Sequence, residues 1–154
     1  MPKRSAGILA YRRHQQQIEV LLVHPGGPFF RNKDEGVWSI PKGEYDECEE
    51  PLSVAIREFE EETGNKVDGK FIPLDHVKIK SGKVISAWAV EADFQQCYIR
   101  SNTFDLEWPP KSGKMQSFPE ADKAEWFSIA EAKKKIHPGQ LPLLDQLASL
   151  HLTR

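Results

Sequence analysis

The stretch Gly43-Glu44-Tyr45-Asp46-Glu47-Cys48-Glu49-Glu50-Pro51-Leu52-Ser53-Val54-Ala55-Ile56-Arg57-Glu58-Phe59-Glu60-Glu61-Glu62-Thr63-Gly64-Asn65 decides how the rest of the chain is read. From Pro51 to Thr63 it has a helical period, because Leu52, Ala55, Ile56 and Phe59 recur at spacings of three and four and form one apolar stripe. Pro51 suits the first helical turn and Gly64 the C-terminal stop. The same spacings crowd Glu58, Glu61 and Glu62 onto one face. Like charges so placed cost roughly a few tenths of a kcal/mol per pair on an isolated helix. A fold that keeps them near its interior therefore needs a compensating cation. Hard oxygen donors without His or Cys favour magnesium, manganese or calcium over zinc. A bare acidic run is more often a solvated helix face, so the carboxylates alone do not decide the matter.

Their full spacing does. Gly43, five residues, Glu49, seven residues, Arg57-Glu58, an apolar Phe59, any residue, Glu61-Glu62, any residue, Gly64 resembles the Nudix box, spanning residues 43–65. Seven fixed identities match in order, an event on the order of one in a hundred million per start position at ordinary residue usage. One position departs: the last residue of the box is usually aliphatic and here is Asn65, which puts local packing beneath the loop in question. Val67 is the candidate to take over that apolar role.

The resemblance implies an α/β (α+β) fold, with a mixed sheet sandwiched between helices and the box forming a loop–helix–loop that carries metal. It implies Glu58 and Glu62 as principal ligands of Mg2+ or Mn2+, with Glu61 a third ligand or a relay to the attacking water. Gly43 would offer its carbonyl to the metal, Arg57 would orient a carboxylate by a charge-assisted hydrogen bond, and Glu49 and Gly64 would stabilise the motif. A further acidic group often comes from a later loop. Glu120 is the candidate, with Asp122 and Glu125 as rivals in the run Glu120-Ala121-Asp122-Lys123-Ala124-Glu125-Trp126.

Outside the box, 154 residues fit one domain, 1–154, able to bury a core without staples. The chain holds 21 basic and 23 acidic residues for a net charge of -2, which argues against a protein that coats nucleic acid. Two distant cysteines, Cys48 and Cys97, make neither a disulfide framework nor a metal set and suit a reducing compartment. With no apolar run long enough to span a bilayer and no signal-like start, a cytoplasmic protein is expected. Monomer and homodimer both remain open.

Strands are expected over 6–11 and 18–24 around a polar hairpin connection, over 71–80 and 84–94 around Ser81-Gly82, and over 124–128. Pro25-Gly26-Gly27-Pro28 stops the second strand. Residues 105–119, rich in Pro, Gly and Lys, read as a loop, with Trp108-Pro109-Pro110 a rigid piece of it or a lid. Helices are expected over 128–136 and 141–150.

Substrate contacts are sought among Lys42, Trp38, Phe30, Arg4 and Lys83. Lys42 stands where a glycine often precedes the box glycine, and is either a surface lysine or a point charge near phosphate. Trp38 is either a core residue leading into the box or a ring on which a base stacks. Phe29 and Phe30 divide the same way between loop packing and base stacking, and lysines such as Lys78, Lys80 and Lys83, like Arg4, are more often solvent-facing. The run Trp38-Ser39-Ile40-Pro41-Lys42-Gly43-Glu44 resembles the branch that cleaves dinucleoside polyphosphates such as diadenosine tetraphosphate; related branches with Pro-Lys-Gly act on inositol pyrophosphates. The rivals are a nucleoside triphosphate pyrophosphohydrolase and, from another class, a nucleotide-sensing module without catalysis, whose usual mark, loss of the box carboxylates, is absent here.

Overall fold

A computed structural model describes residues 3–93 and 103–150, so Cys97 and the end of the strand expected over 84–94 lie outside the described residues. Strands β1 (Arg4–His14) and β2 (Gln17–Pro25) form the first hairpin. Gln15 and Gln16 both take positive φ, 52° and 66°, giving the two-residue turn whose twist matches that of the flanking strands. Both strands therefore run further than the sequence suggested.

Beyond Tyr11 and Val20 the two strands part, and the chain from Ser39 to Glu44 fills the gap. Val23 and Ser39 exchange backbone hydrogen bonds at 2.8 and 3.0 Å, and the Ile8 N–H donates to the Pro41 carbonyl at 3.1 Å. Strand β3 (Lys42–Glu44) then pairs antiparallel with β1, Gly43 opposite Ala6. This wedge carries Lys42 and Gly43 into the middle of the sheet, ahead of helix α1 (Pro51–Thr63).

Across β1 on its other side, β6 (Val84–Glu91) pairs in parallel, from Arg4 with Val84 to Tyr11 with Glu91. The strand expected over 71–80 is instead two short pieces, β4 (Ile72–Pro73) and β5 (Val77–Lys78), both antiparallel to β6. Three residues between Pro73 and Val77 face two between Trp88 and Ile85, so an extra residue is accommodated where Pro73 supplies no ladder donor.

Residues 105–119 correct the loop expectation. They belong to a separate ribbon of β7 (Thr103–Glu107) and β8 (Met115–Pro119), with Phe104 opposite Phe118. Short alternating runs flank a turn so rich in Pro, Gly and Lys that the turn dominates the reading. Strand β9 (Ala121–Ser128) follows and pairs with β2 along its length. Gly26 is the joint: its N–H donates to the Glu120 carbonyl at 2.9 Å, and a Cβ there would sit 2.0 Å from the Pro119 oxygen.

Side chains alternate across this sheet into two cores. Ala6, Ile8, Ala10, Leu21 and Val90 meet Val54, Ala55 and Phe59 of α1. Leu9, Tyr11, Val20, Leu22, Ile85 and Ala87 meet Leu143, Leu144 and Leu147 of α3 (Leu141–Ser149), and Ala132 of α2 (Ile129–Lys135). The result is a mixed α+β sandwich, helix–sheet–helix. Val67 is buried in the α1 core at 6% exposure, while Asn65 turns to Thr63, its side-chain amide donating to the Thr63 carbonyl at 3.0 Å. Among the described residues, no helix is long and apolar enough to cross a membrane.

Candidate active site

Helix α1 begins where Glu50 caps it, accepting from the Ser53 N–H at 2.6 Å, and ends at Gly64 in the left-handed region, φ 73°. Its buried stripe is rotated slightly from the one expected, since Val54 is fully buried and Ile56 only partly. That rotation sinks Glu62 to 9% exposure and leaves Glu58 at 15% and Glu61 at 35% of their side-chain surface.

The wedge meets these carboxylates from the sheet side. The Lys42 N–H donates to Glu62 Oε2 at 3.0 Å. A Cβ on Gly43 would lie 2.3 Å from Glu58 Cδ, so only a glycine lets that carboxyl rest against the backbone. Burial, and then the neighbouring charge of Glu58, push the Glu62 carboxyl up to about 8. Burial, and then Glu61, also raise Glu58. Lys42 moves the other way: burial and then the Lys83 ammonium lower it, despite the pull of Glu62, Glu44 and Glu120. In each case loss of water outweighs the partner's charge.

Arg57 sits outside this cluster, half exposed. Its guanidinium lies 3.6 Å from Glu49, 3.6 Å from Glu58 and 3.9 Å from Glu61. At these distances Arg57 neighbours all three carboxylates, and its charge and side-chain hydrogen bond to Glu58 partly offset the rise in that carboxyl. Glu49 closes the loop before α1, its Oε1 accepting from the Asp46 N–H at 3.1 Å.

Two cavities flank Lys42 and Glu120, which line both. The larger, about 370 Å³, is also lined by Ser5, Gly43, Glu44, Glu58 and Lys83. The smaller, about 170 Å³, is also lined by Val23, Pro25, Ser39, Ile40 and Glu62. The structure thus brings Glu58, Glu62, Gly43, Lys42, Lys83 and Glu120 to one place. Of the rivals to Glu120, Asp122 pairs with His24 Nδ1 at 2.9 Å, and Glu125 lies within the β2–β9 ladder opposite Leu22.

Three substrate candidates are placed elsewhere. Trp38 is 1% exposed, its indole donating to Asp34 at 2.8 Å and its ring edge-on to Phe127, so no face is open to a base. It is a core residue. Phe30 is partly buried with the Lys33 ammonium 5.7 Å from its ring, and lines neither cavity. Arg4 is exposed and lines neither cavity; by alternation along β1 it shares the α1-facing side with Ala6 and Ile8. Phe29, 57% exposed, meets Trp108 edge-on at 5.3 Å, so that loop leans on the ribbon. Ser5 and Glu44 were not singled out from the sequence. The available signals were a hydroxyl in an otherwise apolar run at Ser5 and, for Glu44, its place at the end of the run Trp38-Ser39-Ile40-Pro41-Lys42-Gly43-Glu44.

Among the described residues, no three carboxylate, imidazole or thiol side chains stand assembled as a cation cage. The donors nevertheless fit a hard divalent ion. They are all oxygens, the buried Glu62 and the partly buried Glu58 have raised affinity for protons, and Gly43 leaves the room that Glu58 occupies. Such an open set suits an ion that keeps water and phosphate oxygens in its shell.

This fold and this box define a family. A family model described as NUDIX domain matches residues 1–147. The chain belongs to the Nudix hydrolase family, whose members act on pyrophosphate bonds and generally need a divalent metal. Among particular relatives, it is 30% identical over 112 residues to the asymmetrical bis(5'-nucleosyl)-tetraphosphatase of Rattus norvegicus, covering 65% of this chain and 72% of that protein. It is 34% identical over 73 residues to Nudix hydrolase 10 of Arabidopsis thaliana, covering 47% of this chain and only 24% of that one. Solved structures of similar fold include the NUDIX domain of Shewanella oneidensis NrtR complexed with ADP ribose, at TM-score 0.70 and 20% identity, covering 97% of this chain and 88% of that one. A C. elegans Ap4A hydrolase binary complex gives 0.66 at 19%, covering 96% of each chain.

Proposed function

We propose that this chain hydrolyses a dinucleoside polyphosphate such as diadenosine tetraphosphate, with magnesium or manganese as its cofactor. The observation that carries this reading is the pairing of two ammonium groups, Lys42 and Lys83, with Glu58 and Glu120 on one cavity. A long phosphate chain brings more negative charge than one site of metal ligands handles, and fixed cations beside that site suit the excess. The partial likeness to the rat tetraphosphatase supports the same substrate class.

Glu58 and Glu62 would hold the metal, with Glu61, Gly43 and Glu120 completing or flanking its shell. When bound, the ion supplies a lowered pKa for water and neutralises phosphate oxygens. The chain's own groups do the rest. Lys42 and Lys83 hold non-bridging oxygens, and in-line attack then needs mainly alignment. Glu61, by side chain the most exposed of Glu58, Glu61 and Glu62, accepts the proton of the attacking water. Arg57 keeps Glu49, Glu58 and Glu61 in mutual register on the solvent side.

Product analysis tests the reading. ATP plus AMP from diadenosine tetraphosphate, abolished by a chelator and restored by magnesium, is the expected result. A higher kcat/KM for nucleoside triphosphates, giving monophosphate and pyrophosphate, would replace it with a triphosphate pyrophosphohydrolase. Nucleotide binding without turnover of either would replace it with a sensing module.

A further inference from the structure

Ser5 is completely buried, at 0% exposure, and among the described residues its hydroxyl is a buried side-chain oxygen with no hydrogen-bond partner. Buried polar groups are nearly always satisfied, and a serine hydroxyl offers both a donor and two acceptor positions. This one lines the larger cavity beside Lys42, Glu58, Lys83 and Glu120.

Its surroundings explain how it is covered. Ser5 on β1 is opposite Glu44 on β3 and Ile85 on β6. Paired residues share a face, and Lys83, two residues before Ile85, returns to that face. Lys83 Nζ lies 3.4 Å from Glu44 Oε2, so this ion pair crosses β1 above Ser5. Glu44 is half exposed, which makes the pair weak enough for another anion to compete for the ammonium.

We propose that Ser5 is a substrate-binding residue whose hydroxyl donates to a phosphate oxygen, while Lys83 leaves Glu44 to hold the same phosphoryl group. The inference rests on the cavity being the hydrolytic site proposed above, but not on the organic part of the substrate. Phosphate oxygens only accept, so Ser5, Lys42 and Lys83 can all donate to them without conflict.

The proposal predicts two effects of opposite sign. Without ligand an unpartnered buried hydroxyl is unfavourable, so Ser5→Ala should raise Tm, by about 2–4 °C. With ligand, the same variant should bind more weakly. A serine with a purely structural role would move both the same way.

Titration calorimetry with methylenediphosphonate, a non-hydrolysable diphosphate mimic, in excess magnesium gives the decisive reading. Ser5→Ala is expected to weaken binding about ten- to a hundred-fold. Glu44→Gln, which releases Lys83, is expected to tighten it about two- to five-fold. Affinity of Ser5→Ala within two-fold of wild type overturns the proposal, as does weaker binding accompanied by a lower Tm. A wild-type protein that takes up no diphosphonate overturns it too. Failure to cleave diadenosine tetraphosphate, with the diphosphonate results as expected, removes the substrate reading and leaves the Ser5 subsite standing.

Discussion

The backbone N–H of Lys42 donates to Glu62 Oε2 at 3.0 Å, tying the wedge between β1 and β2 to the last turn of α1. Glutamine at position 62 would keep an oxygen for that bond while removing the charge. Glu62→Gln should therefore fold normally and lose turnover by at least about a hundred-fold. Steady-state kinetics at saturating magnesium check this, and near-normal turnover that still requires metal would remove Glu62 from the ligand set.

Burial of Glu62 also sets a pH dependence for the metal-free protein. The carboxyl moves from an ordinary value of 4.5 in the unfolded chain to about 8 when folded. Between those values the folded state keeps a proton that the unfolded state has released. Stability therefore falls as pH rises through that window, and Glu58, raised for the same reason, adds to the slope. Urea unfolding in chelator at pH 5 and pH 8.5 should show the higher midpoint at pH 5, and Glu62→Gln should flatten the difference. Metal uptake near pH 7 should release a proton, read from calorimetry in buffers of different ionisation enthalpy. Equal midpoints at both pH values would contradict the burial of an unneutralised Glu62.

Gly43 accommodates Glu58 by having no side chain. In Gly43→Ala the new Cβ meets Glu58 Cγ and Cδ at 2.4 and 2.3 Å, and the flexible end of Glu58 is what gives way. Stability should change little, whereas metal affinity should fall about ten- to a hundred-fold because a ligand has been displaced. Manganese titration followed by relaxation of water protons measures it; unchanged affinity would mean that Glu58 binds no metal from this position.

Much of this was legible in the sequence because the signals are local. Pro51, the period of the apolar residues and Gly64 bound α1 within a single turn, and the spacing of Glu58, Glu61 and Glu62 follows from the helix alone. What was not legible depends on chain brought from far away. The β7–β8 ribbon hides behind a Pro-, Gly- and Lys-rich turn. Glu120 reaches the cavity because Gly26 lets Pro119 pass against β2, which neither segment announces on its own. Ser5 looks like any small residue in a strand until Glu44 and Lys83 are seen on either side of it. Trp38 is the sharpest case. A short apolar run reads alike for a core strand and an exposed platform, and only the arrival of α2, whose Lys135 carbonyl accepts from the Trp38 N–H at 3.0 Å, decides between them.

That decision has its own measurable consequence. Trp38 packs edge-on against His24 at 5.1 Å and Phe127 at 4.9 Å, with its indole nitrogen engaged by Asp34. Truncation leaves a cavity between the sheet and α2, so Trp38→Ala should destabilise by about 3–5 kcal/mol and lower Tm by about 10 °C or more. Trp38→Phe should recover part of that loss, since it refills the cavity but leaves Asp34 without its indole donor. A stacking platform would behave in the reverse manner, raising KM for a nucleotide substrate while the melting curve stayed in place. Urea unfolding and KM measured below the melting temperature on both variants separate the two, and an unchanged midpoint with a raised KM would return Trp38 to the substrate.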